Sequence, residues 1–318
     1  MEIRTLRYFL AVAREENMTR AAEQLYVTQP TLSKALKSLE DELDKKLFTR
    51  HSFSIRLTDE GVLLRDRAED LVSMADKIEK EFISLDDISG GELFLGLAES
   101  YQIKYVADAI KALKERYPKL KYHITSGDTE QVAEKLQKGL LDFVVLAEEP
   151  DRKKYEFMAL PEADRWGMVL LADDPLAERE SFTPSDLRGL PLFCSEQAWH
   201  QEIKNWAGQD FNAFHLEGSF RLSYNGSIFA KAGLGYLLTF DKLIDVSSDS
   251  GLVFRPLIPR LETKLYLVWK KYQPFTPIAE RFLEQVKASF TSLLSSLEIP
   301  MRNWSYSSVS NLSIRLPR

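Results

Sequence analysis

Residues 17–40 read Asn-Met-Thr-Arg-Ala-Ala-Glu-Gln-Leu-Tyr-Val-Thr-Gln-Pro-Thr-Leu-Ser-Lys-Ala-Leu-Lys-Ser-Leu-Glu, a pattern of two short helices joined by a tight turn. Thr19 is the expected N-cap of the first, and Ala21, Ala22 and Leu25 give it a small apolar face. Tyr26-Val27 breaks the pattern. Thr28 then caps a second helix, and Pro30 fits its first turn, where backbone amides have no internal partner. Leu32, Ala35, Leu36 and Leu39 share one face at spacings of three and four, while Gln29, Ser33, Lys34 and Lys37 share the other. A face with amide, hydroxyl and ammonium groups but no carboxylate suits the DNA major groove. Spacing alone favours an ordinary helical hairpin with a solvated face, since amphipathic helix pairs are common.

The neighbouring residues separate these readings. Leu6, Phe9, Ala13, Ala21-Ala22, Leu25, Thr28-Gln29-Pro30, Leu32-Ser33, Leu39-Glu40, Leu43, Leu47-Phe48, Arg50, Leu57-Thr58 and Gly61 form a specific pattern. On it the chain resembles the LysR-type transcriptional regulators. The resemblance implies that Thr28, Gln29, Pro30, Thr31, Ser33, Lys34 and Lys37 form the DNA-reading edge, with Pro30 setting the angle of the helix entrance. Asp44 departs from the family, which usually has Gly there; Asp tolerates a left-handed backbone better than most residues, so the turn should survive. The stretch from Arg50 to Leu57 reads as a two-stranded wing, a ribbon that reaches the DNA backbone or minor groove. Arg50 and Arg56 are its candidate contacts, the family match favouring Arg50; solvated loop arginines are the plainer reading. His51 and Phe53 lie where the family varies. A first helix over about 5–15 braces the hairpin through Leu6, Phe9, Leu10 and Ala13.

The net charge of −6 hides an uneven distribution. Residues 1–65 hold 11 Lys+Arg against 10 Asp+Glu, and the remainder 31 against 38. Within 28–39 there are two lysines and no acid, the acids collecting at Glu40-Asp41-Glu42 and Asp44. Phosphate contacts release counterions, so salt-sensitive DNA binding is expected. The chain of 318 residues is too long for one small domain. Its apolar content of 44% supports real cores, yet no run approaches a membrane span. A charged N-terminus without a secretory pattern, and the single cysteine Cys194, suggest a cytoplasmic protein.

From Asp59 to Leu85 the residues Leu64, Ala68, Leu71, Ala75, Ile78, Phe82 and Leu85 alternate spacings of four and three, the signature of a seam between two helices. A segment that reads as α/β follows and offers no partner helix, so this helix is expected to pair with its own copy. A two-fold protein then implies a roughly palindromic operator. Asp86 to Gly91 is rich in turn formers and marks a boundary.

Beyond it strands and helices alternate, which argues for a mostly parallel sheet. Strands are expected at 92–97, 121–125, 140–146, 166–171, 189–194, 218–222, 236–238 and 265–270, and helices at 105–116, 129–138, 184–187, 201–209, 227–232 and 276–294. The family resemblance implies two α/β lobes joined by crossing strands, like periplasmic solute-binding proteins. The expected fold is thus α/β with an all-α N-terminal part. Its domains are a winged helix-turn-helix (1–58), a dimerisation helix and hinge (59–88), an effector-binding domain (89–300) and a flexible tail (301–318). Lobe one covers 90–161 and 267–300, and lobe two 162–266.

Ligands of open parallel sheets sit beyond the carboxyl ends of strands, near helix N-termini. Four polar segments meet that description: 99–102, 126–129, 195–197 and 223–227. Ser100, Ser126, Asn225 and Ser227 are candidate hydrogen-bonding groups, and Gly127, Asp128 and Glu196 share the same edge. Ser and Asn make helix caps and turns everywhere, which is the plainer reading. Glu99, Asp128 and Glu196 disfavour a strongly anionic ligand or supply a partner for an amine. Tyr101, Tyr224 and Trp199 could stack on an aromatic ligand, or simply pack.

No catalytic constellation stands out. Cys194 ends an apolar strand with no neighbouring His, and His51, His123, His200 and His215 lack metal-ligand spacing. Gly233-Leu234-Gly235 precedes a strand, the wrong order for a dinucleotide fingerprint. A sequence-specific, effector-controlled transcriptional regulator without a cofactor is therefore expected, not an enzyme. Its expected partners are double-stranded operator DNA, a small-molecule effector, a second copy or a tetramer, and RNA polymerase as a further candidate. The alternatives are a small-molecule-binding α/β protein or enzyme with a non-functional hairpin, and a structural DNA-packaging protein.

Overall fold

The computed structural model describes residues 1–50, 55–85 and 90–296. The chain divides into two compact units, Met1–Asp87 and Ile88–Arg318. Expectations for His51 and Phe53, for residues 86–89 and for the tail 301–318 lie outside the described residues.

The first unit is built on three helices and a small ribbon. Helix α1 (Ile3–Glu15) buries Leu6, Phe9 and Val12. Helix α2 (Met18–Gln24) is capped by Asn17, whose Oδ1 accepts from the amides of Thr19 (2.9 Å) and Arg20 (3.0 Å). The cap thus lies two residues before the expected Thr19, because the Asn amide oxygen reaches two orphan amides at once. Helix α3 (Gln29–Leu43) starts at Thr28, whose Oγ1 accepts from the Thr31 amide, with Pro30 in the first turn. It ends at Asp44, in the left-handed conformation at φ 51°, so the turn does form without glycine. Leu32, Leu36 and Leu39 face the core that α1 and α2 share.

Strands β1 (Phe48–Arg50) and β2 (Ile55–Leu57) pair antiparallel, Phe48 opposite Leu57, as the ribbon expected of a wing. Thr58 ties the ribbon to the next helix: its hydroxyl donates to Lys46 O (2.7 Å) and accepts from the Gly61 amide (3.0 Å). Helix α4 (Asp59–Leu85) is unbroken over 27 residues. Its apolar stripe divides. Leu64, Ala68 and Val72 join the core of this unit, Ala68 fully buried. Leu71, Ile78 and Phe82 stay exposed, as do Leu63 and Ile83. The stripe read as one seam therefore divides: Leu64, Ala68 and Val72 pack within the same chain, while Leu71, Ile78 and Phe82 present exposed apolar surface.

The second unit carries one nine-stranded sheet through two lobes. Strands β3 (Gly90–Leu97), β4 (Lys119–Ser126) and β5 (Phe143–Leu146) are parallel, with β3 in the middle. Helices α5 (Lys104–Arg116) and α6 (Thr129–Gln137) alternate with them. Strand β6 (Tyr155–Leu171) runs 17 residues from one lobe into the other. Its first half packs Met158 and Leu160 into the first core, and its second half packs Trp166, Met168 and Leu170 into another.

The second lobe holds β7 (Pro191–Ser195), β8 (His215–Phe220), β9 (Tyr236–Phe240) and β10 (Leu252–Pro256). Between β7 and β8 lie short helices α7 (Glu196–Ala198) and α8 (Lys204–Ala207), joined by a π-helical turn at Trp199–Ile203. Helix α9 (Ser223–Lys231) precedes β9. Strand β11 (Glu262–Lys270) returns antiparallel to β6, with a bulge between Lys264 and Tyr266, and α10 (Pro277–Ser296) closes on the first core through Phe282, Val286 and Phe290. No helix among the described residues is long and apolar enough to cross a membrane.

Candidate nucleic-acid interface and ligand cleft

In the first unit, burial of Leu32, Leu36 and Leu39 turns the opposite side of α3 outward. Gln29, Pro30, Thr31, Lys34 and Lys37 are exposed there and Ser33 is half-buried. Thr28 Oγ1 and Thr31 Oγ1 lie 2.8 Å apart and share a hydrogen bond at the helix entrance. Neither Lys34 nor Lys37 has a carboxylate partner among the described residues, so both ammonium groups can meet phosphate. Arg56 is exposed on β2. Arg50 closes β1 opposite Ile55, and its side chain lies outside what is described.

The first acid of α3 is held off this face. Glu40 turns inward, its side chain only 13% exposed, accepting from Lys46 Nζ (2.8 Å) and from the amides of Leu47 (2.9 Å) and Phe48 (3.4 Å). Burial pushes this carboxyl up, but Lys46 and the two amides outweigh it and hold it below the usual range. The stability it contributes is therefore present above the ordinary Glu range, at about pH 4.3, and is lost as pH falls through the lower folded value. Glu40→Ala should cost about 2 kcal/mol at neutral pH, since it orphans the amides that start the wing. Acid titration followed by circular dichroism should show the difference between variant and parent vanish at low pH.

Tyr26 was read only as a break in the pattern. It is 97% exposed, at φ 54°, in the turn that leads to α3. A left-handed turn residue is usually Gly or Asn, so a tyrosine carries no sequence signal for it.

In the second unit a cleft of about 550 Å³ opens between the lobes. From lobe one it takes the ends of β3, β4 and β5: Ala98-Glu99, Gly127-Asp128 and Ala147-Glu148. From lobe two it takes Ser195-Glu196-Gln197 after β7, and Phe220-Arg221 after β8. Three contacts cross it. Glu99 Oε2 accepts from the Ser223 amide (2.5 Å), Gln197 Nε2 donates to Glu148 (2.7 Å), and Arg221 stands 3.7 Å from Asp128.

Of the residues expected here, Gly127, Asp128 and Glu196 line the cleft, and Ser100, Tyr101, Ser126, Asn225 and Ser227 do not. Ser100 is buried and donates to Asp164 Oδ2 at 2.5 Å. Tyr101 lies outward between the ammonium groups of Lys104 and Lys242. Ser126 is exposed at the end of β4, the edge strand. Asn225 and Ser227 fall inside α9, which begins at Ser223 and not at Ser227. The Glu99 carboxylate supplies the cap that the local sequence lacks, and Ser227 bonds back to Tyr224 O. Tyr224 is exposed, while Trp199 packs with Phe211 and Phe214.

Sequence reasoning missed Glu130, Glu148, Glu202 and Arg221 as lining residues. Glu148 was within reach, since it follows β5 as Glu99 follows β3. Arg221 was hidden by reading a strand through 222, whereas β8 stops at Phe220. Cys194 is fully buried and burial pushes its thiol far up, which leaves it inert. No group of three or more His, Cys, Asp or Glu side chains that could hold a metal ion occurs among the described residues.

The model of a bacterial regulatory helix-turn-helix protein, lysR family, matches residues 3–62, and that of a LysR substrate binding domain matches 87–291. The chain is 29% identical over 300 residues to the DNA-binding transcriptional dual regulator OxyR of Escherichia coli K12, covering 91% of this chain and 95% of that protein. It is 32% identical over 195 residues to the HTH-type transcriptional regulator CysB of Burkholderia cenocepacia, 59% of this chain and 61% of that one. Its fold is similar to full-length CbnR complexed with target DNA, with a TM-score of 0.73 at 19% identity over 91% of this chain and 100% of that one.

Proposed function

Since this chain belongs to the LysR family, as a DNA-binding transcriptional regulator with an effector-binding domain, we propose that α3 reads operator DNA in the major groove, once per subunit of a homodimer or homotetramer. Gln29, Thr31, Ser33, Lys34 and Lys37 carry the base and phosphate contacts, Thr28 and Pro30 set the helix entrance, and the wing arginine Arg50, with Arg56 as a further candidate, meets the backbone or minor groove. The observation that carries this reading is the exposed side of α3 over residues 29–39, which holds no acid and two ammonium groups without a carboxylate partner among the described residues. The exposed later turns of α4, at Leu71, Ile78 and Phe82, support pairing with a second copy. The interlobe cleft takes a small-molecule effector whose binding changes its closure, and so the placing of the two reading helices. The regulator works in the cytoplasm, with RNA polymerase as a further partner.

One cysteine cannot form an intrachain disulfide, and Cys194 is sealed from solvent.

Lys34→Ala tests the reading. If Lys34 touches phosphate, affinity falls about tenfold on every duplex and the salt slope drops by about one. If it reads a base, preference relaxes at one operator position while other sequences bind as before. Fluorescence anisotropy on an operator and on its single-base variants separates these results, and unchanged affinity with unchanged selectivity removes Lys34 from the interface.

A further inference from the structure

The effector cleft is lined mainly by acids. Six carboxylates line it: Glu99, Asp128, Glu130, Glu148, Glu196 and Glu202. Against them stand one guanidinium, Arg221, and one imidazole, His200. Arg221 is already matched to Asp128 at 3.7 Å. A cleft with walls of one sign focuses the field inside it and concentrates ligands of the opposite charge.

The places where an anion would bind are taken. Helix N-termini attract anions because their first amides are unpaired. At α9 the first amide, that of Ser223, is bound by the Glu99 carboxylate. At α6 the Gln131 amide is bound by Asp128 Oδ1 (2.9 Å), and Glu130 adds a second acid in the first turn. The helical run after β7 begins with Glu196. An organic acid entering at α9 or α6 would have to displace an internal carboxylate and then sit beside it.

Glu202 adds a further acid to the same wall. Its Oε2 is buried without a hydrogen-bond partner, a state that is costly for a carboxylate in a folded protein. Burial, and after it the nearby charge of Glu148, pushes its carboxyl up. The carboxylates do not gather three to a point as metal ligands do, so the spread suits an extended organic cation better than a metal ion.

We propose that the interlobe cleft recognises an organic cation, an amine- or guanidine-bearing small molecule, through Glu130, Glu196 and Glu202. The inference rests on the reading of this cleft as the effector site. Glu99, Asp128 and Glu148 are spent on contacts across the cleft and hold its frame, whereas the first three are the groups left for a ligand.

The test uses the full-length protein with putrescine, agmatine and spermidine, and with succinate as an anion of similar size. All five tryptophans lie beyond residue 165, so tryptophan fluorescence follows unfolding of the second unit alone. At physiological salt, at least one amine should raise that transition progressively with concentration, as mass action requires, while succinate leaves it in place. Glu130→Gln combined with Glu196→Gln, and separately Glu202→Gln, should keep the unliganded transition and weaken amine binding about tenfold or more, the loss of a charge-assisted contact.

Stabilisation by succinate that Arg221→Ala removes would overturn the cation assignment and leave the cleft as the effector site. Amine stabilisation that persists in the glutamine variants would overturn the cleft reading too, since a protein of net charge −6 also attracts polyamines to its surface. A flat response to all three amines counts against the cation.

Discussion

Gly61→Ala is expected to abolish operator binding by unfolding the first unit, with the second left intact. A Cβ on Gly61 would sit 2.2 Å from Leu47 O, a backbone oxygen, and 3.0 Å from Leu57 Cδ2. That carbonyl cannot swing away, because it accepts the Thr58 amide at 3.0 Å. Thr58 is itself pinned to Lys46 O and to the Gly61 amide. The extra methyl must therefore push the first turn of α4 off the ribbon. Overpacking of this kind costs about 3 kcal/mol, and more where the neighbour is rigid backbone. That is a large part of the stability of a domain this size. Far-ultraviolet circular dichroism should lose helix, since α1 to α4 depend on one core. Tryptophan fluorescence should melt as in the parent, because the first unit has no tryptophan. Operator binding retained at parental affinity would show that α4 can shift at no cost, and that the packing at Gly61 does not hold the fold.

The second large effect lies where β6 leaves lobe one. Asp164 is 2% exposed and accepts from Ser100 Oγ (2.5 Å) and Gln102 Nε2 (3.0 Å). Asp164→Ala would leave two buried donors without acceptors and should cost about 3–4 kcal/mol, seen as an earlier tryptophan transition. Asp164→Asn should cost less, because its carbonyl still takes one donor. The pH dependence tells the two apart further. Burial pushes the Asp164 carboxyl up, and the bonds from Ser100 and Gln102 with the charge of Lys242 recover only part of that. A raised folded value means the native state holds a proton longer than the unfolded chain. Stability of this unit should thus fall as pH rises from the ordinary Asp range, at about pH 3.9, through the folded value. The slope has the opposite sign to that of Glu40, and it should disappear in Asp164→Asn. Equal melting of parent and Asp164→Ala would mean that the cluster contributes nothing.

The two halves of the chain were legible to different degrees, for physical reasons. The reading helices are governed by local rules, namely caps, proline in a first turn, and apolar residues at three and four. Those rules placed the start of α3 at its Thr28 cap, and missed the cap of α2. In the second unit local rules found the strands of the parallel triplet, but not the first half of β6 or any of β10. Residues 155–165 mix Pro161, Glu162 and Asp164 with apolar residues, because this strand changes its neighbours as it passes between the cores. Such a strand has no single buried face and so no clean period. The cleft was found by where parallel strands end, and its frame by no local rule at all. The carboxylate that caps α9 comes from Glu99, 124 residues earlier in the chain. The hydroxyl of Ser100, by contrast, was taken by a strand that the pattern did not reveal.

Helix α4 is fixed to the reading head by Leu64, Ala68 and Val72 against α1, and by Arg7 reaching Asp76. Rod and head therefore move as one solid piece. Over 27 residues the rod is about 40 Å long. Leverage follows from that length: pivoting the rod about its far end by about 5° swings the head some ~3.5 Å, close to the rise of one base pair along B-DNA. In the proposed dimer a slight turn at one end of the rod would bring the two heads into or out of step with the grooves of the operator.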